Sequence, residues 1–128
     1  MKAAAFLEFN QNAKEVIDVY QEIFDAEVVC EYTYDKNMTK NPNLIGKVFH
    51  AELKIGDLNL YLSDSGRTPS FSSLKFVVEI QDEIEARQVF EKLTQIGTVI
   101  SDFKKMSFGP IIAQVKDAFG IKWEIVTC

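Results

Sequence analysis

AQVKDAFGIKWEIV, residues 113–126, reads as two short alternating strands around a tight turn, with one carboxylate, Glu124, among apolar neighbours. With Ala118, Phe119 and Gly120 as the loop, Gly120 supplies the positive φ of a three-residue hairpin carrying a bulge. That register sets Val115 opposite Trp123 on one face and Gln114 opposite Glu124 on the other. Glu124 therefore points away from the tryptophan side.

The pattern has an earlier copy in AELKIGDLNLYLSD, residues 51–64, where Gly56-Asp57 reads as a two-residue turn. Pairing outward from Ile55 and Leu58 places Leu53 beside Leu60 and Ala51 beside Leu62, an apolar face suited to a helix. His50, Glu52, Asn59, Tyr61 and Ser63 fall on the opposite face. Superposing the two hairpins puts Leu60 on Trp123 and Tyr61 on Glu124.

The segments before each hairpin repeat as well. Ala3 to Phe9 and Leu74 to Ile80 read as strands, and Asn12-Ala13-Lys14-Glu15 and Asp82-Glu83-Ile84-Glu85 share the form of a helix N-cap with an acidic third residue. Val16, Val19, Tyr20 and Ile23 form one helical stripe, and Ala86, Val89, Phe90, Leu93 and Ile96 form another, with Gly97 suited to the residue past the helix end. Tyr20 to Phe90 and Ile23 to Leu93 are both offsets of 70 residues. Val28 to Tyr34 and Thr98 to Asp102 are the strands after the helices. Asp35 to Lys47, with Pro42 and four Asn or Asp residues, and Phe103 to Pro110 read as loops. Ser65-Gly66-Arg67-Thr68-Pro69-Ser70 divides two halves, each strand, helix, strand, strand, strand.

At 128 residues and 47% hydrophobic content, the chain suits one compact domain burying roughly two-thirds of its unfolded surface. The expected core comprises Trp123, Leu60, Val89, Phe90, Val19 and Tyr20. A net charge of −5 without a basic cluster argues against nucleic acid as a partner. The first apolar run stops at Glu8, short of a secretory h-region of ~7–15 residues, and no segment approaches the ~20 apolar residues of a membrane span. The expectation is a cytoplasmic protein with no membrane partner. Cys30 and Cys128 lack CxxC spacing and read as free thiols. Cys30, within VVCEYTY, is read as a half-buried small hydrophobe, with a catalytic thiol as the alternative.

The duplicated βαβββ order, with NAKEVIDVYQEIFDAEVV, HAELKIGDLNLYLSD and the D-x-F-G-x-x-W-E run of residues 117–124, resembles the vicinal oxygen chelate superfamily of glyoxalases, bleomycin-resistance proteins and extradiol dioxygenases. The nearest resemblance is to its PhnB-like branch. It implies an α+β fold: two βαβββ modules, about residues 1–64 and 72–128 of a single 1–128 domain, forming curved mixed sheets around a cavity, with the helices outside. It also implies a homodimer. Some PhnB-like members carry a ubiquinone methyltransferase name. That activity is not expected here, because no Gly-rich nucleotide-binding turn follows a strand.

Metal-dependent members of the superfamily place four inward ligands on a divalent ion. The resemblance carries those positions onto Ala5 (or Ala4, one register away), Tyr61, Lys75 and Glu124. Only Glu124 is an ordinary ligand, and an ammonium at ligand distance opposes a dication, so neither metal nor cofactor is expected there. Lys75 is expected to pair with Glu124 instead. A rebuilt metal site using His50, Glu52 and Glu124 is the alternative for His50, beside a hydrogen-bonded structural role or contact with a ligand. Arg67 and Lys104-Lys105 read as solvated charge.

The reading is a metal-independent small-molecule binding protein, with His50, Glu52, Tyr61, Lys75, Gln114 and Glu124 as its ligand-binding residues and Leu7, Phe9 and Val77 as further cavity lining. The runner-up is a lyase, isomerase or dioxygenase with a displaced metal site. A protein-interaction module using a sheet face is a third class.

Overall fold

The computed structural model describes residues 1–128, which form two compact units, Met1–Pro69 and Ser70–Cys128. Unit 1 contains β1 (Ala5–Asn10), α1 (Ala13–Phe24), β2 (Glu27–Thr33), a 3-10 turn at Pro42–Leu44, β3 (Val48–Ile55) and β4 (Leu58–Ser65). Unit 2 contains β5 (Lys75–Glu79), α2 (Glu83–Ile96), β6 (Thr98–Lys105), β7 (Ile111–Lys116) and β8 (Lys122–Thr127). The sheets are ordered β1-β4-β3-β2 and β5-β8-β7-β6. In each, the first strand pairs parallel with the last and the other pairings are antiparallel. The fold is α+β, with two βαβββ modules and mixed four-stranded sheets.

Both hairpins have the expected registers: Leu53 is opposite Leu60 and Ala51 opposite Leu62, while Val115 is opposite Trp123 and Gln114 opposite Glu124. Gly120 has φ +87°, as its turn requires. Asp117 then fixes that turn, its carboxylate accepting from the Phe119 and Ile121 amides and from Trp123 Nε1 at 2.9–3.0 Å.

One face of each sheet packs on the helix of its own unit. In unit 1 the buried layer is Ala13, Val16, Ile17, Tyr20 and Ile23 of α1 against Leu7, Phe9, Ala51, Leu53, Leu60 and Leu62. In unit 2 it is Ala86, Val89 and Leu93 of α2, with Phe76, Ala113, Val115, Trp123 and Ile125. Fully burying one large aliphatic or aromatic side chain contributes about 1.5–3 kcal/mol relative to exposure, so these layers dominate the stability of each unit. Of the expected core, Trp123, Leu60, Tyr20 and Val89 are buried. Val19 and Phe90 are half-buried, and Ile96 is exposed. Ile17 takes the place that the stripe had assigned to Val19.

Three local expectations are corrected. Leu7 and Phe9 lie under α1 rather than on the open face, because Ala5, Leu7 and Phe9 pair with Leu60, Leu62 and Asp64 of the helix-facing side. Phe6, Glu8 and Asn10 face the other way, and so does the side on which Ala4 stands. Asn12 precedes α1 but its side chain makes no capping bond. The Ala13 amide instead donates to Asp64 Oδ1, from 51 residues away, at 2.9 Å. Gly97 follows the last residue of α2, as expected, in an extended conformation (φ −130°), and the reason for glycine there is space, since a Cβ would collide with the Lys116 carbonyl oxygen. Finally, β6 runs on to Lys105, so Phe103 is a strand residue whose ring lies 5.1 Å from that of Phe90.

Candidate functional site

The open face of the unit 1 sheet gathers polar side chains from three adjacent strands. Cys30 of β2 is opposite Glu52 of β3, Tyr32 opposite His50, and Glu52 opposite Tyr61 of β4. Side chains opposite one another on a sheet share a face, so Cys30, His50, Glu52 and Tyr61 converge. Cys30 reaches that face through a β-bulge. Val28 is opposite Leu53 on the helix side, Val29 is left without a counterpart, and Cys30 meets Glu52. In an unbroken register Val29 would take that place and Cys30 would turn under the helix, so the extra residue re-aims the thiol. The second unit repeats the device, with Val99 opposite Val115 and Ser101 opposite Gln114.

Glu52 is the hub. Its Oε2 accepts from Cys30 Sγ at 3.3 Å and lies 3.1 Å from His50 Nε2, while Oε1 is 3.4 Å from Lys2 Nζ. The His50 ring meets the Tyr61 ring edge-on with centroids 5.2 Å apart, and Lys2 Nζ is 5.7 Å from the Tyr61 centroid. The Cys30 thiol, the His50 imidazole and the Lys2 ammonium hold the Glu52 carboxyl below the usual carboxylate range, the thiol contributing most. Burial, followed by the neighbouring Glu52, pushes the Cys30 thiol up. Tyr61 and then Glu52 raise the Lys2 ammonium. Cys30 is thus held as a hydrogen-bond donor rather than as an activated nucleophile.

The open face of the unit 2 sheet carries a second constellation. Lys75 Nζ is 2.9 Å from Glu124 Oε1, and Gln114 Nε2 donates to the same oxygen at 3.4 Å. The expected Lys75–Glu124 pair is present, with Glu124 mostly covered and Lys75 two-fifths exposed.

The six residues named from sequence therefore fall into two groups: His50, Glu52 and Tyr61 in unit 1, and Lys75, Gln114 and Glu124 in unit 2. The donor that joins His50 and Glu52 is Cys30. Lys2 and Cys30 were not among the six. The missing signal was the bulge, which depends on pairing between strands rather than on the VVCEYTY alternation. The four superfamily ligand positions do not fit a metal: the first is an alanine, and Lys75 places an ammonium directly on Glu124, the one ordinary donor.

A cleft of about 530 Å³ opens beside the start of α1, lined by Lys14, Glu31, Thr33, Lys47 and Asp64 among others. Three of its charged side chains, Lys14, Glu31 and Asp64, are already engaged locally. Lys14 pairs with Glu31 at 3.4 Å and Asp18 at 3.5 Å, and Asp64 binds the Ala13 and Val48 amides.

Comparison with known proteins follows the same lines. The sequence profile of the 3-demethylubiquinone-9 3-methyltransferase family matches residues 1–126. No curated protein matches. A PhnB protein of Bacillus cereus, itself named for 3-demethylubiquinone-9 3-methyltransferase, is 26% identical, with a TM-score of 0.82 over 100% of both chains. The protein PA1353 of Pseudomonas aeruginosa is 20% identical, with a TM-score of 0.81 over 99% of this chain and 97% of its own. A fosfomycin resistance protein, FosX, of Listeria monocytogenes shares the fold at 13% identity, with a TM-score of 0.70 over 100% of this chain and 90% of its own. The duplicated βαβββ modules and the match across nearly the whole sequence place this chain in the 3-demethylubiquinone-9 3-methyltransferase family, the PhnB-like branch of the vicinal oxygen chelate superfamily.

Proposed function

We propose that this protein binds a small molecule without a metal at the four superfamily ligand positions. The observation that supports the reading is the Lys75–Glu124 pair, 2.9 Å apart, which sets an ammonium against the one ordinary donor among the four positions that the superfamily resemblance assigns to a metal. A lysine ammonium attracts an anionic or strongly polarised ligand group as a point charge, and Gln114 beside it offers an amide for orientation. His50, Glu52 and Tyr61 are assigned to the same binding role on the other sheet. The working unit in this reading is a single domain of residues 1–128, acting as a cytoplasmic homodimer. Methyl transfer, which the family name suggests, forms no part of it. The two strand-to-helix connections read Gln11-Asn12 and Ile80-Gln81-Asp82, without the glycines that bring a nucleotide close to a helix start.

The test is a thermal-shift screen of chelator-treated protein against aromatic antibiotics, α-ketoacid thioadducts and phosphonates. A ligand that binds only the native state stabilises it by about 2.7 kcal/mol at a hundred times its Kd. Stabilisation by an anionic compound should fall in Lys75→Ala and persist in Lys104→Ala. Stabilisation that appears only after a divalent metal is restored would overturn the reading, as would equal responses from the two variants.

A further inference from the structure

We propose that Cys30, His50 and Glu52 form a binding site for a divalent transition metal of borderline softness, zinc(II) or cobalt(II), on the open face of the unit 1 sheet. This site uses none of the four superfamily ligand positions. The small-molecule reading requires no metal but assigns His50 and Glu52 to its ligand, so the two readings share those residues and are tested separately.

Three observations carry it. The donors are a thiol sulfur, an imidazole nitrogen and a carboxylate oxygen, each from a different residue, and all three atoms lie within 4.8 Å of one another. With metal–ligand bonds of about 2.0–2.3 Å, tetrahedral donors stand about 3.3–3.6 Å apart. The Cys30–Glu52 and His50–Glu52 separations, 3.3 and 3.1 Å, are already near that spacing. The sulfur-to-nitrogen edge is no longer than 4.8 Å. The mixture of one soft and two harder donors suits zinc or cobalt better than magnesium or calcium, which take oxygen alone. All three residues are half-buried, so ordering the site costs less than gathering free side chains. The second observation is the bulge at Val29, without which the thiol would lie on the helix side.

The third is the arrangement of charge. Binding replaces the Cys30 S–H proton, which leaves to solvent, so the thiolate and Glu52 carboxylate together neutralise a dication. Lys2 touches Oε1, the carboxylate oxygen not shared with Cys30 and His50, and its side chain is largely exposed. It can therefore withdraw into solvent as the metal enters. Three protein ligands leave a fourth position for water or a bound donor.

The experiment is a cobalt(II) titration of the full chain after chelator treatment, followed by absorption. One equivalent should develop a thiolate-to-cobalt charge-transfer band in the near ultraviolet and the intense visible bands of tetrahedral cobalt. Cys30→Ser should abolish the charge-transfer band, while Cys128→Ser, which removes the other thiol, should leave it unchanged. His50→Ala should weaken binding, and Lys2→Ala should tighten it severalfold by removing a like charge. These last two variants test the site should Cys30→Ser fail to fold. No saturable band at one equivalent, or a band lost in Cys128→Ser but retained in Cys30→Ser, would overturn the proposal. Chelator-treated wild-type protein that still gains stability from a small molecule keeps the binding reading whatever cobalt does, so the two can fail separately.

Discussion

Replacing Asp64 should be among the most damaging single changes in unit 1, although the residue lies outside every apolar stripe. Its side chain is 1% exposed, and its two oxygens accept from different elements: Oδ1 from the Ala13 amide at the start of α1, Oδ2 from the Val48 amide at the start of β3, both at 2.9 Å. Asp64→Ala strands two buried donors, one of them the amide at the start of α1, each costing about 1–3 kcal/mol. The expected loss is therefore about 2–6 kcal/mol. Asp64→Asn keeps one carbonyl oxygen but turns an NH2 group against the second donor, so it should lose roughly half as much. Urea titration followed by far-ultraviolet circular dichroism is the suitable assay, because the one tryptophan, Trp123, lies in unit 2 and its fluorescence reports there. Amide exchange at Ala13 and Val48 should accelerate more than at Leu60. A loss below about 1 kcal/mol for Asp64→Ala, or equal losses for the alanine and asparagine variants, would refute the two-donor account.

Trp123→Ala, at a side chain with no exposed surface and its ring 5.1 Å from that of Phe76, should cost about 3–5 kcal/mol in the same titration, and a cost under ~1 kcal/mol would contradict its burial. Gly97→Ala should destabilise unit 2, because its Cβ meets the Lys116 carbonyl; an unchanged denaturation midpoint would show that the backbone yields freely. Alkylation of Cys30, read by peptide mapping, should have a pH midpoint above the ordinary thiol range near 8.5, and Glu52→Gln should bring it down. A thiol whose folded pKa is raised contributes stability below its unfolded pKa and loses it as pH rises through the folded value, so this contribution should fade on the alkaline side. A midpoint at or below that of free cysteine would contradict the burial and the Glu52 contact.

The parts of the fold legible in the sequence are those that neighbouring residues decide. Gly56-Asp57 and Ala118 to Gly120 fix hairpin registers because the strands they join are adjacent in the chain, and alternation then assigns faces without further information. The duplication added equivalences between the halves. The expectation that Lys75 pairs with Glu124 rests instead on the resemblance to the superfamily, whose ligand positions fall on both, and the structure brings those two residues together. The face of β1 is also legible, since polar Glu8 and Asn10 alternate with Leu7 and Phe9, and the apolar pair belongs to the core rather than to a cavity lining.

What the tertiary structure decided lies between segments distant in sequence. Asp64 caps a helix that begins 51 residues earlier, so no pattern around Asn12 could reveal that the local cap goes unused. Cys30 joins His50 and Glu52 only because β2 carries a bulge against β3, and a bulge is a mismatch between two strands rather than a property of either. Gly97 is glycine because of the carbonyl of Lys116, brought close by the β6–β7 pairing. Local alternation and turn chemistry determine registers within a hairpin. Side chains that satisfy distant backbone groups, and the extra residue that turns a thiol to the other face, follow from which surfaces meet once the sheets have formed.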